Sequence, residues 1–175
     1  MSDLFLLGAM KRTFAQAQGF IDLIRSRNFP CAAAILRLQI DTAMRVNGLN
    51  LVDNIEDFCS ELIGDKKFNQ MKDRDGKKFT DVYLRQKLSE EHDWVSSVYE
   101  NVSDFVHLSG RHLMVSITEL NDGDRTISLA VSPVDPVRPD EDYFEIVDAF
   151  FEATRIAACL ILGCMMSRRL QPSSD

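Results

Sequence analysis

The sequence predicts a mainly α fold, a helical bundle of five to six helices with an inserted β-hairpin, and three observations carry that prediction. Apolar residues recur at steps of three and four over most of the chain, the period changes to two between residues 112 and 132, and three of the five prolines follow that change directly. At 175 residues, 45% hydrophobic and 27% charged, the chain has the size and balance of one globular unit, so residues 1–175 are expected to form a single helical domain.

Phe5, Leu6, Ala9, Met10, Phe14, Ala17, Phe20, Ile21 and Ile24 define the core face of a first helix. Pro30 ends it and suits the first turn of a second helix that runs to Asn47, with Gly48 as its stop. That second helix is apolar nearly all round, so it is expected at the centre, with its few polar residues paired internally. Asp53 and Glu56 resemble a capping box for a third helix carrying Ile55, Phe58, Cys59 and Leu62 up to Gly64. Residues 65–79 keep no period and include Asp75-Gly76, which predicts a loop. Thr80 opens a short helix with Leu84 and Leu88, and Asp93 opens another whose buried face is Trp94, Val98, Tyr99, Val102, Phe105 and Val106.

Leu113, Val115 and Ile117, then Ile127, Leu129 and Val131, alternate with polar residues around the turn Asn121-Asp122-Gly123-Asp124 and predict a hairpin over about residues 112–132. Residues 132–139 are a proline-rich linker, and about residues 140–168 form the last helix, with Phe144, Val147, Phe150, Phe151, Ile156, Leu160, Ile161 and Cys164 toward a core. A hairpin alone is marginal, so its edge and the last helix, through Phe144, Phe150 and Phe151, predict a homodimer.

A net charge of -7 argues against whole-surface attraction to nucleic acid or anionic membranes. The apolar run Ile156–Met166 is shorter than the ~20 residues of a membrane span, and the N-terminal residues lack the pattern of an export signal, so no membrane association is expected. Cys31, Cys59, Cys159 and Cys164 form no CxxC pair and sit in apolar stretches, which predicts buried free thiols in a reducing cytoplasm.

No phosphate-binding glycine loop, HExxH, GxSxG or EF-hand pattern is present, and no metal or cofactor is expected. Polar residues inside the helices are the remaining candidates. Arg37, Asp41 and Arg45 lie at four-residue steps on one helix face, where Asp41 can bridge the arginines and the guanidiniums can bind an oxyanion. Ser103, Asp104, His107, Ser109 and His112 cluster where the fifth helix meets the hairpin. There His107, between apolar neighbours, is expected to be buried and to join the fifth helix to the second. Arg85 and His92 fall on one side of a continuous helix and pair a cation with an imidazole. Lys66, Lys67, Lys72, Arg74, Lys77 and Lys78 give the loop a local positive excess suited to a polyanion.

The segments AAAILRLQIDTAMR, DGKKFTDVYL and SDFVHLSGRH are similar to those of a group of small bacterial helical proteins without an assigned activity. The similarity covers Cys31 to Gly110. At greater distance the layout resembles the HEPN-like superfamily, whose members include metal-independent ribonucleases of toxin and antiviral systems carrying an Arg, four to six residues, then a His. Arg85 and His92 match that spacing, with Gln86 a loose match to the polar residue that follows the arginine. The resemblance implies an accessory or interaction protein without catalysis, with RNA or protein as partner. It also allows a ribonuclease using Arg85 and His92. A module sensing a small anion or nucleotide at Arg37 is the third reading.

Overall fold

Seven α-helices and a two-stranded antiparallel hairpin make up residues 1–135 and 138–169, the residues described in this computed structural model. Pro136 and Val137 of the expected linker lie outside the described residues, as do residues 170–175. The chain is mainly α, with helices α1 (Ser2–Arg25), α2 (Phe29–Asn47), α3 (Ile55–Ile63), α4 (Asp81–Ser89), α5 (Trp94–Ser103), α6 (Gly110–Ser116) and α7 (Asp140–Arg169). Strands β1 (Ile117–Asn121) and β2 (Thr126–Leu129) pair between α6 and α7.

The α2 helix sits at the centre, against α1, α4, α5 and α7. Asn28 caps it by accepting from the Cys31 amide at 3.2 Å, and Pro30 lies in its first turn. Ala32, Ala33 and Ala43 are fully buried, and these small side chains let neighbouring helices pack closely around Leu36, Ile40 and Met44. Where α2 presents Gln39 and Thr42 inward, α1 answers with Thr13 and Gln16: Gln39 Nε2 donates to Thr13 Oγ1 at 3.5 Å, and Thr42 Oγ1 to Gln16 Oε1 at 3.4 Å. This polar seam rotates α1 away from its expected face. Phe14 and Ile21, expected in the core, are 69% and 43% exposed, while Ser2, Thr13 and Gln16 are buried.

The start of α7 is tied to the end of α1 by an Arg27–Asp140 ion pair at 2.8 Å and a hydrogen bond from the Tyr143 hydroxyl to the Arg27 carbonyl at 2.9 Å. Phe20 stacks on Phe150 at 3.9 Å between centroids, so α7 runs antiparallel to α1. Asp140–Ser167 is long and apolar enough to cross a membrane by length and composition alone. Ile146, Phe150, Ala153, Ala157 and Ile161 of this helix belong to the shared core.

Four sequence expectations are corrected. The hairpin is shorter than predicted, because residues 110–116 form α6. Local bonds favour the helix there: the Ser109 amide donates to His112 Nδ1 at 3.4 Å and Ser116 Oγ to the His112 carbonyl at 2.9 Å. The α5 helix stops at Ser103, so Phe105 is buried from a turn and Val106 is exposed. Asn54, rather than Asp53, caps α3, accepting from the Glu56 and Asp57 amides. Cys31 and Cys159 are exposed, while Cys59 and Cys164 are buried.

The predicted loop over residues 65–79 is anchored at both ends. Phe58, Phe68 and Phe79 form an aromatic cluster, and the Phe79 amide donates to the Met71 carbonyl at 3.0 Å. Between them Asp73 Oδ1 accepts from the Asp75 and Lys77 amides at 3.0 and 2.8 Å, and Gly76 takes φ +81°. Tyr83 of α4 donates its hydroxyl to Asp73 Oδ2. Arg74 reaches back to the carbonyls of Asn50, Leu51 and Val52.

Candidate functional site

Four-residue steps along α2 place Arg37, Asp41 and Arg45 on one face, and the structure makes Asp41 the acceptor they share. Arg45 Nε donates to Asp41 Oδ2 at 2.8 Å, Arg37 Nη1 lies 3.8 Å from Oδ1, and Arg12 of α1 approaches Oδ2 at 4.0 Å. Arg45 extends to Asp81 at the start of α4 at 3.1 Å and covers the Phe68 ring. Arg37 lies over Tyr99 of α5, 3.5 Å from the ring centroid. It donates to the Tyr99 hydroxyl and, at 3.2 Å, to Ser103 Oγ. Arg85 of α4 also covers Tyr99 and pairs with Glu100 at 3.0 Å.

Burial lowers the Arg37 pKa from its ordinary value, and repulsion from Arg45 and Arg85 adds to that, against the pull of Asp41 and Asp81. For Arg45 burial also opposes the charge, but the bonds to Asp41 and Asp81 outweigh it and the pKa rises. The cluster therefore holds four guanidiniums, Arg12, Arg37, Arg45 and Arg85, against the carboxylates of Asp41, Asp81 and Glu100. Chemically it can lock the α1, α2, α4 and α5 packing, and its single excess positive charge can attract an anion.

The other candidates go elsewhere. His92 sits in the turn between α4 and α5, its amide donating to the Leu88 carbonyl at 3.1 Å. The helix that would have aligned Arg85 with His92 ends at Ser89. From SDFVHLSGRH, Ser103 joins the α2 network. His107, expected to be buried, is exposed in a bend, because α5 ends before reaching it. The Asp104 carbonyl accepts from Ser109 Oγ at 3.0 Å, and the half-buried His112 stands edge-on to Phe105. These residues shape a corner around Phe105. Among the described residues no group of three His, Cys, Asp or Glu is placed to hold a metal ion.

Sequence reasoning missed Tyr99, Arg12, Asp81 and Glu100 as members of the network. Tyr99 carried a signal, being a buried-face aromatic with a polar tip that needs a partner. Nothing in the spacing of Arg12 connects it to α2.

A second surface lies on the outer side of α1 and α7. Phe14, Phe144 and Phe151 are 69%, 66% and 64% exposed, and Leu7, Ile21 and Leu162 extend the same stripe. A groove of about 470 Å³ runs between the two helices beside Ile21, Val147 and Phe151, with Phe20 and Phe150 at its floor. Phe150, expected on a dimer face, is instead buried by its stack on Phe20. In the basic loop, Lys66 is paired with Glu61 at 2.6 Å, and Lys67, Lys72 and Lys78 are exposed.

The chain matches no protein-family model, and comparison with curated proteins and with solved structures likewise finds no match.

Proposed function

We propose that the protein is a non-catalytic, HEPN-like interaction module whose working surface is the apolar face shared by α1 and α7. The observation that carries this reading is the row of phenylalanines, Phe14, Phe144 and Phe151, each more than 60% exposed on adjoining helices. Scattered exposed apolar residues are ordinary, but large apolar side chains exposed at a regular repeat along two packed helices cost solubility unless something covers them. The pairing of Arg85 with Glu100, and the end of α4 before His92, favour a structural use for both residues.

The test has two arms. A photo-reactive phenylalanine analogue at position 14, irradiated in cells, is expected to give discrete cross-linked products. Total RNA incubated with purified protein without divalent metal is expected to stay intact. Cleavage lost on His92→Ala would establish the ribonuclease reading instead. The anion-sensing reading is favoured by one observation, the four guanidiniums facing three carboxylates around Asp41. Saturable phosphate or nucleotide binding lost on Arg37→Ala would support it.

A further inference from the structure

We propose that the occupant of the α1/α7 face is a second copy of this chain, docked about a two-fold axis that passes beside Phe14. This rests on the docking reading above and adds the identity of the partner.

The amount of surface supports a symmetric dimer. With a phenylalanine side chain offering roughly 150–250 Å², the stripe exposes on the order of 700 Å² of apolar surface per chain. A stable interface buries about 800 Å² per partner, so this one face is close to sufficient by itself.

The spacing supports helix-to-helix docking. Leu7, Phe14 and Ile21 recur every seven residues on α1, and Phe144, Phe151 and Ala158 do so on α7. This is the repeat that keeps one seam turned toward a neighbouring helix. Each series remains exposed in the single chain.

The pattern is also self-complementary about Phe14. If α1 of one copy lies antiparallel on α1 of the other, Phe14 meets its own counterpart and Leu7 meets Ile21. Asp3 and Arg25 stand eleven residues to either side of Phe14, so the same pairing sets each aspartate against the other copy's arginine. The Phe20–Phe150 stack and the antiparallel course of α7 put Phe14 level with Ile156. The axis then crosses α7 at the level of Ile156, and Phe151 of one copy falls near Leu162 of the other. The acidic half of α7, with Glu145, Asp148 and Glu152, is carried away from its counterpart. One symmetry operation therefore pairs the apolar series and sets Asp3 against Arg25.

Sedimentation of the purified protein across micromolar concentrations tests the proposal, with circular dichroism to verify that each variant keeps its helices. The parent is expected to sediment as a dimer. Phe14→Glu and Phe151→Glu are each expected to weaken it about 100-fold. Arg25→Asp is expected to weaken it about fivefold, and Arg25→Asp with Asp3→Arg to restore it. Phe14→Cys, with Cys31 and Cys159 replaced by serine, is expected to cross-link to itself on oxidation.

A monomeric parent at ~100 µM would overturn the proposal, as would a dimer indifferent to Phe14→Glu. If the parent is monomeric while the probe at position 14 captures other proteins in cells, the second-copy proposal fails and the docking reading stands. If the parent is monomeric and floats only with phosphatidylethanolamine–phosphatidylglycerol vesicles, the proposal likewise fails and the face is a membrane surface. A monomer without cross-links removes both readings.

Discussion

Replacing Asp41 by asparagine keeps the shape of the side chain and removes the charge on which three arginines converge. Asp41 and Arg37 are 13% and 14% exposed at their side chains, so water replaces little of what is lost. The Arg45 contact at 2.8 Å is a charge-assisted hydrogen bond, whereas Arg37 and Arg12, at 3.8 and 4.0 Å, interact through their charges. Removing one partner of a fully buried pair costs about 3–5 kcal/mol, and an exposed pair contributes about 0–1 kcal/mol. This half-buried triad lies between those limits, and Asp41→Asn is expected to cost about 2–4 kcal/mol. For a chain of this size that lowers the melting temperature by about 6–10 °C. Urea unfolding followed by helical circular dichroism measures the free energy, and 1 M salt should reduce the difference only in part, because the groups are sheltered. A loss below about 0.5 kcal/mol would refute the argument that Asp41 organises the packing around α2.

His107→Ala is expected to melt within about 0.5 kcal/mol of the parent, since the residue is exposed, whereas Ser103→Ala deprives Arg37 Nε of its acceptor and should cost about 1 kcal/mol. A reversed order in thermal melts would return His107 to the core. Burial, with the bond to Asp73, pushes the Tyr83 pKa up to about 12, above its ordinary value, so the folded state holds that proton more tightly than the unfolded chain. Its contribution is complete below about pH 10 and is lost as pH rises toward 12, so the stability gap between parent and Tyr83→Phe should be constant up to about pH 9 and shrink above it. A gap that stays constant through alkaline pH would count against the Tyr83–Asp73 bond. Gly76→Ala should cost about 1 kcal/mol in a urea titration from backbone strain alone, since φ is +81° and nothing lies within 4 Å of the added Cβ.

Helix periodicity, Pro30 in the first turn of α2, the cap at Thr80 and the Asn121–Asp124 turn are local signals, and they sufficed for a mainly α chain with a hairpin before the last helix. The four-residue spacing of Arg37, Asp41 and Arg45 put Asp41 within reach of either arginine, because neighbours on one helix face need no tertiary information, and the structure has it meet both. Tertiary structure decided what lies across each face. Phe14 and Thr13 are adjacent in sequence, and only the presence of Gln39 and Thr42 opposite them sends the threonine inward and the phenylalanine out. Arg85 and His92 share a side of a helix only if that helix continues. It ends at Ser89, and the arginine pairs instead with Glu100 of α5. His107 looked buried by its flanking apolar residues, yet α5 stops at Ser103, where the Ser103 hydroxyl donates to the Tyr99 carbonyl and accepts from Arg37. Periodicity identifies which residues share a face, but the polarity of the opposing helix and the point at which a helix stops are set by residues distant in the chain.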